Sequence, residues 1–135
     1  MVFYFCRFVC FVLSKIFFQT RVFGRDNIPK NGGFILASNH VSFLDPILLG
    51  VSCPRKVNFM ARHTLFRGPI FSWFLPMLNT FPVKRDYADI SALKEAIKRL
   101  KNNGPLVMFP EGTRGIAGSL GKPEPGIGLL VKKAG

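Results

Sequence analysis

Between Asn79 and Phe109 the sequence spells a strand, a helix and a second strand with almost nothing between them, and this limits the fold more than any other feature. Asn79-Thr80-Phe81-Pro82-Val83-Lys84-Arg85-Asp86 reads as a strand ending in a basic pair. Asp89 is a good N-cap for a helix in which Ile90, Leu93, Ile97 and Leu100 recur at helical spacing. Lys98, Arg99 and Lys101 suit its last turns, and Gly104 follows it. Leu106-Val107-Met108-Phe109 is then a short apolar run of the kind buried in a sheet. A strand joined to a strand through a crossover helix implies parallel pairing, so the chain is expected to be α/β, a mainly parallel sheet flanked by helices.

A further strand, Phe34-Ile35-Leu36-Ala37, is bounded by Gly32-Gly33 and by Ser38-Asn39. His40 stands at its end. Asp45 precedes Pro46, and Asp at an N-cap with Pro at the first helical position predicts a short apolar helix from there to about Gly50. Within one helix a spacing of five would turn His40 and Asp45 about 140° apart, whereas a strand-to-helix turn lets the carboxylate fold back onto one imidazole nitrogen. The other nitrogen is then a base, with tautomer and orientation held by the acid. Taken alone, these residues read more simply as a loop histidine beside a capping aspartate. Their company changes that. Lys56 to Met60 supplies another strand, and loops beyond the carboxyl ends of parallel strands form the sites of such sheets. His40, Arg85 and Glu111 all stand at such ends. Arg85 and Arg114 are able to grip a phosphate, Glu111 to order Arg114 or accept a hydrogen bond from a substrate hydroxyl, and Gly112 and Gly115 to let a ligand approach the backbone. His63 has no acid near it in sequence and reads as a surface or structural residue.

With 19 Lys and Arg against 7 Asp and Glu, the 135-residue chain carries +12 and calls for an anionic partner. Nucleic acid fits poorly, because the basic residues are dispersed and the aromatics lie in apolar runs. Cys6, Cys10 and Cys53 make neither a disulfide set nor a zinc pattern, and point to a reducing, cytoplasm-facing location. Residues 1–24 hold seven of the fifteen Phe, interrupted by Arg7 and Lys15. On a helical projection Tyr4, Arg7, Ser14, Lys15 and Arg21 share one arc of about 120°, which suits a helix lying in a membrane interface with its basic stripe toward lipid phosphates; a tilted span is the alternative. The apolar stretch Ile70 to Leu78 is assigned to core packing, with contact to lipid or an acyl chain through Trp73 as the other reading.

Three blocks resemble the glycerolipid acyltransferases, and within them the 1-acylglycerol-3-phosphate acyltransferases. Asn39-His40-Val41-Ser42-Phe43-Leu44-Asp45 resembles the N-H-x-S-x-x-D block, Phe81-Pro82-Val83-Lys84-Arg85 the second block, and Phe109-Pro110-Glu111-Gly112-Thr113-Arg114 the F-P-E-G-T-R block. Asn79 replaces a common glycine, tolerable because Asn accepts left-handed backbone angles. The resemblance implies a glycerol-phosphate acyltransferase-like fold, a membrane-associated segment over 1–24, and an acyltransferase domain over 25–135 that lacks a fourth block and is therefore incomplete at its C-terminus. It implies a catalytic His40–Asp45 pair, and glycerol-phosphate binding by Arg85, Glu111, Gly112, Thr113 and Arg114, with no metal and no resident cofactor. The implied reaction moves an acyl group from acyl-CoA or acyl-carrier protein to the 2-hydroxyl of a lysophosphatidic acid, giving phosphatidic acid at the cytoplasmic face of the cell membrane. The alternatives are another acceptor, glycerol 3-phosphate or a lysophospholipid, and a non-catalytic module or fragment binding anionic lipid.

Overall fold

The computed structural model describes residues 1–84, 89–116 and 118–135. Its helices are α1 (Val2–Phe18), α2 (Asp45–Ser52), α3 (Pro69–Met77), α4 (Ile90–Lys101) and α5 (Gly126–Ala134), with 3-10 turns at Arg25–Asn27 and His63–Phe66. The strands β1 (Ile35–Ala37), β2 (Asn58–Arg62), β3 (Thr80–Val83) and β4 (Leu106–Met108) form one four-stranded sheet in the order β1-β4-β2-β3, and every pairing is parallel.

Alternation along the strands sends side chains to two cores. On one face Leu106, Phe81 and Ile35 meet Ala92, Ala96 and Leu100 of α4 and Leu130 of α5. On the other, Val107, Leu36 and Phe59 meet Phe3 of α1 and Cys53 and Leu49 from α2. Helices therefore cover both faces, as parallel strands require.

Several elements differ from expectation. The buried stripe of α4 is Ala92, Ala96 and Leu100, flanked by Leu93 and Ile97, while Ile90 is exposed. Small residues let α4 lie close to the sheet, and Ile90, in the first turn, falls outside the contact. The segment assigned to core packing, Ile70 to Leu78, has no buried residue in its helix; Ile70, Phe71 and Trp73 are exposed. Asn79 does adopt the left-handed conformation, with φ 58°, and its carbonyl accepts a hydrogen bond from Arg99 at 2.9 Å. Arg85 and the expected end of the third strand, to Asp86, lie outside the described residues.

Two residues of the expected polar arc of the N-terminal helix, Arg7 and Ser14, turn toward the domain instead. Phe3, Cys6, Arg7, Cys10 and Ser14 face the domain, and Arg7 donates to the Pro54 carbonyl. Lys15 donates to the Thr20 carbonyl and lies over the Phe11 ring. The basic groups thus satisfy local carbonyls and an aromatic face, and the phenylalanine-rich arc is left exposed. At about 1.5 Å per residue α1 spans roughly 25 Å, short of the roughly 30 Å hydrocarbon core, and among the described residues no helix is long and apolar enough to cross a membrane.

The start of α4 is fixed by Asp89, whose carboxylate accepts from the Ser91 hydroxyl and amide, the Ala92 amide and the Lys84 amide that ends β3. The Ser91 hydroxyl above all, with those amides, brings its pKa from 3.8 to about 2. A depressed carboxylate stabilises the fold fully above its unfolded value and loses that contribution as pH falls through the folded value. Asp89→Ala should therefore lower stability by about 1 kcal/mol at neutral pH. In urea unfolding followed from pH 7 downward, the gap between variant and parent should close as the pH drops from about 4 toward 2.

Candidate active site

β1 and β4 are neighbours, so the loops that leave their carboxyl ends emerge side by side. The first carries His40 and Asp45, the second residues 109–115. The Ser38 amide donates to the Met108 carbonyl at 3.1 Å, and the Gly115 amide donates to the His40 carbonyl at 2.8 Å. The His40 ring stacks on Phe109, centroids 4.1 Å apart and planes 21° apart. Two segments distant in sequence are thus joined by backbone and ring.

Asp45 does not cap α2. It is the first residue of that helix, Pro46 lies in the first turn, and no side chain caps its N-terminus. One carboxylate oxygen, Oδ2, instead turns back and takes three contacts: His40 Nδ1 at 2.9 Å and the amides of Val41 and Ser42 at 2.7 Å each. The Ser42 hydroxyl accepts from the Leu44 amide and its carbonyl from the Asp45 amide, so Ser42 shapes the turn. Partial burial alone would raise the Asp45 pKa; the Ser42 amide, the His40 ring and the Val41 amide outweigh it, and the carboxyl lies below its ordinary value. An ionised Asp45 on Nδ1 fixes that nitrogen as the donor and leaves Nε2 as the acceptor. The pair is a positioned base, with side chains 13% and 17% exposed.

The F-P-E-G-T-R loop is organised around its own acid. Glu111 Oε2 accepts the Gly121 amide at 3.0 Å, and the Glu124 amide donates to the Pro110 carbonyl at 2.7 Å, closing residues 110–124 into one loop. No ion pair joins Glu111 to Arg114 among the described residues. A Cβ on Gly121 would stand 2.5 Å from Glu111 Oε2, and one on Gly115 2.9 Å from it. Gly112, with φ 68°, makes the tight turn whose amide returns to the Phe109 carbonyl. These glycines admit Glu111 and the turn. Thr113 is exposed beside them. The Arg114 guanidinium lies 3.7 Å from the centroid of Phe43, a residue of the His40–Asp45 turn, so a cation stands at the mouth beside the base.

Sequence reasoning missed Phe109, Phe43 and Gly121, because an aromatic at a strand end or in a turn and a glycine in a long loop carry no local signal. His63 lies on the turn after β2, and its Nδ1 is buried without a hydrogen-bond partner among the described residues.

A cavity of about 320 Å³ opens beside the pair, within the range of about 300–1,000 Å³ usual for small-molecule sites. Phe109, which packs on His40, lines it together with Phe43, Ile47 and Phe59, with Phe3, Cys6 and Cys10 of α1, and with Leu75 and Leu78 at the end of α3. Burial, with Cys6 adjacent, pushes the Cys10 thiol up, so this wall is protonated and apolar.

Residues 19–135 match the family model described as Acyltransferase. The chain is 33% identical over 111 residues to the 1-acyl-sn-glycerol-3-phosphate acyltransferase of Bacillus subtilis, covering 82% of this chain and 56% of that protein. It is 31% identical over 122 residues to the chloroplastic enzyme LPAT1 of Arabidopsis thaliana, covering 88% and 34%. Among solved structures it resembles the 1-acyl-sn-glycerophosphate (LPA) acyltransferase PlsC of Thermotoga maritima, with a TM-score of 0.68 and 33% identity over 83% of this chain and 45% of that one. The chain thus spans between about a third and just over half the length of these relatives.

The Glu111–Gly121 contact predicts a pair of outcomes. Gly121→Ala should displace the carboxylate and raise amide exchange at residue 121 about fivefold, the effect of losing about 1 kcal/mol of hydrogen bonding. Glu111→Gln keeps an acceptor oxygen and should leave exchange at residue 121 near the parent rate, as read by hydrogen–deuterium exchange.

Proposed function

The chain belongs to the acyltransferase family, and from that membership we propose that it transfers an acyl group from an acyl thioester, acyl-CoA or acyl-carrier protein, to the 2-hydroxyl of 1-acylglycerol 3-phosphate, giving phosphatidic acid in phospholipid biosynthesis. The observation that carries this reading is the His40–Asp45 pair stacked against Phe109 at the mouth of an apolar cavity, with Arg114 beside it. The names of the relatives supply the acceptor: each is called an acyltransferase of 1-acyl-sn-glycerol 3-phosphate or its shorter synonym.

In this mechanism His40 Nε2 takes the proton of the 2-hydroxyl while Asp45, already ionised, stabilises the imidazolium. The hydroxyl oxygen attacks the thioester carbonyl and forms a tetrahedral oxyanion. The attack forms the new C–O bond; collapse of the oxyanion restores the carbonyl, breaks the C–S bond, and lets the departing thiolate take the proton from His40. No acyl-enzyme is needed, and the base returns to its starting form. Arg114 and, by its place in the second block, Arg85 hold the phosphate, while residues 111–113 shape the backbone around it. The cavity takes an acyl chain, since its lining is almost wholly apolar and includes Phe109, the ring that packs on His40. The exposed phenylalanines of α1 rest in the interface of the membrane that holds the substrate, at its cytoplasmic face, where the three free cysteines stay reduced.

Thiol release with lysophosphatidate and an acyl-CoA tests the assignment. His40→Ala should lower kcat by about 10² to 10⁴, the range of general-base help, with circular dichroism unchanged; retained turnover refutes the role of the base. Arg114→Ala should chiefly raise KM for lysophosphatidate, and an unchanged KM removes Arg114 from the phosphate site.

A further inference from the structure

Among the described residues, apolar faces on α1 and α3 are both exposed, and the proposed function uses only the one on α1. The other is α3. Its helix buries nothing, and Ile70, Phe71 and Trp73 are 73%, 56% and 64% exposed, with Leu65 of the preceding turn 54% exposed beside them. An aromatic face of this kind on so short a helix marks a contact site.

The distribution of charge selects the partner. Residues 1–85 carry eleven of the nineteen Lys and Arg, but only Asp26 and Asp45 of the seven acids, and no acid occurs between Asp45 and Asp86. Arg62 and Arg67, both exposed, bracket the turn that leads into α3. An aromatic and aliphatic face that follows two exposed arginines, with no carboxylate in the segment, complements an anionic phospholipid surface: rings enter the acyl boundary while arginines meet phosphates. Placement argues the same way. Leu75 and Leu78, at the other end of α3, line the same cavity as Phe3, Cys6 and Cys10 of α1.

We propose that α3 is a second membrane-docking element that inserts Ile70, Phe71 and Trp73 into an anionic phospholipid surface, so that the apolar cavity stands between two lipid-bound helices. This extends the membrane reading of α1 and rests on it. α1 alone would tether the molecule, whereas two separated feet fix its tilt on the bilayer.

Trp73 is the single tryptophan of the chain, so intrinsic fluorescence reports on α3 and not on α1. The full chain is mixed with vesicles of phosphatidylglycerol or of phosphatidylcholine, with pelleting measured in parallel. The expected result is a blue shift of Trp73 emission with phosphatidylglycerol, quenching by lipids brominated on their acyl chains, and a weaker response to phosphatidylcholine. Ile70→Ser combined with Phe71→Ser should weaken vesicle affinity about tenfold or more. Protein that pellets with vesicles while Trp73 emission and quenching stay unchanged overturns the proposal and leaves α1 as the tether. Failure to pellet overturns it together with the membrane reading of α1. A blue shift that follows protein concentration without vesicles assigns the face to a second copy and overturns it, and an equal response to both lipids overturns the choice of an anionic surface.

Discussion

A single carboxylate oxygen holds the site together. Oδ2 of Asp45 receives the amides of Val41 and Ser42 and the Nδ1 of His40, and those three contacts convert a flexible strand-to-helix connection into a turn of one shape. The two amides are as important as the imidazole. With the imidazole they lower the carboxyl pKa, and the ionised acid gives the ring its orientation and its tautomer. The rest of the site is arranged around this turn: Phe109 packs on the ring, the Gly115 amide holds the His40 carbonyl, and Arg114 stands over Phe43.

Strand order explains why these parts meet. Insertion of β4 between β1 and β2 puts the F-P-E-G-T-R loop beside the histidine, although about seventy residues separate them in the sequence. β3 occupies the far edge, three inter-strand steps from β1, or roughly 14 Å at the usual spacing.

The layout of the sheet was legible in the sequence because its signals are local. Short apolar runs gave four parallel strands, α4 declared itself by spacing and by Asp89, and Asn79 was readable as a left-handed residue. What was not legible depends on what lies across a gap. Ile90 matched the helical period, but a period cannot say which of two adjacent stripes meets the sheet, and the alanines won because they allow closer approach. Arg7 reads from sequence as a lipid-facing charge, but its partner, the Pro54 carbonyl, lies 47 residues away in the chain. Ile70 to Leu78 looked like core because composition alone cannot separate an interior helix from an exposed apolar one. Glu111 was read as a partner for arginine or substrate, and its contact with Gly121 was invisible because it spans ten residues of loop with no periodic pattern.

α2 is bound at both ends. Its first residue is Asp45, while the carbonyls of Val51 and Ser52 at its last turn accept both branches of the Arg25 guanidinium, at 3.0 and 2.8 Å, from the connector that follows α1. Eight helical residues make a strut about 12 Å long, too short to bend. Arg25 thus ties the connector that follows α1 to the end of the same short helix whose first residue orients the imidazole, so one rigid strut spans from the N-terminal segment to the base.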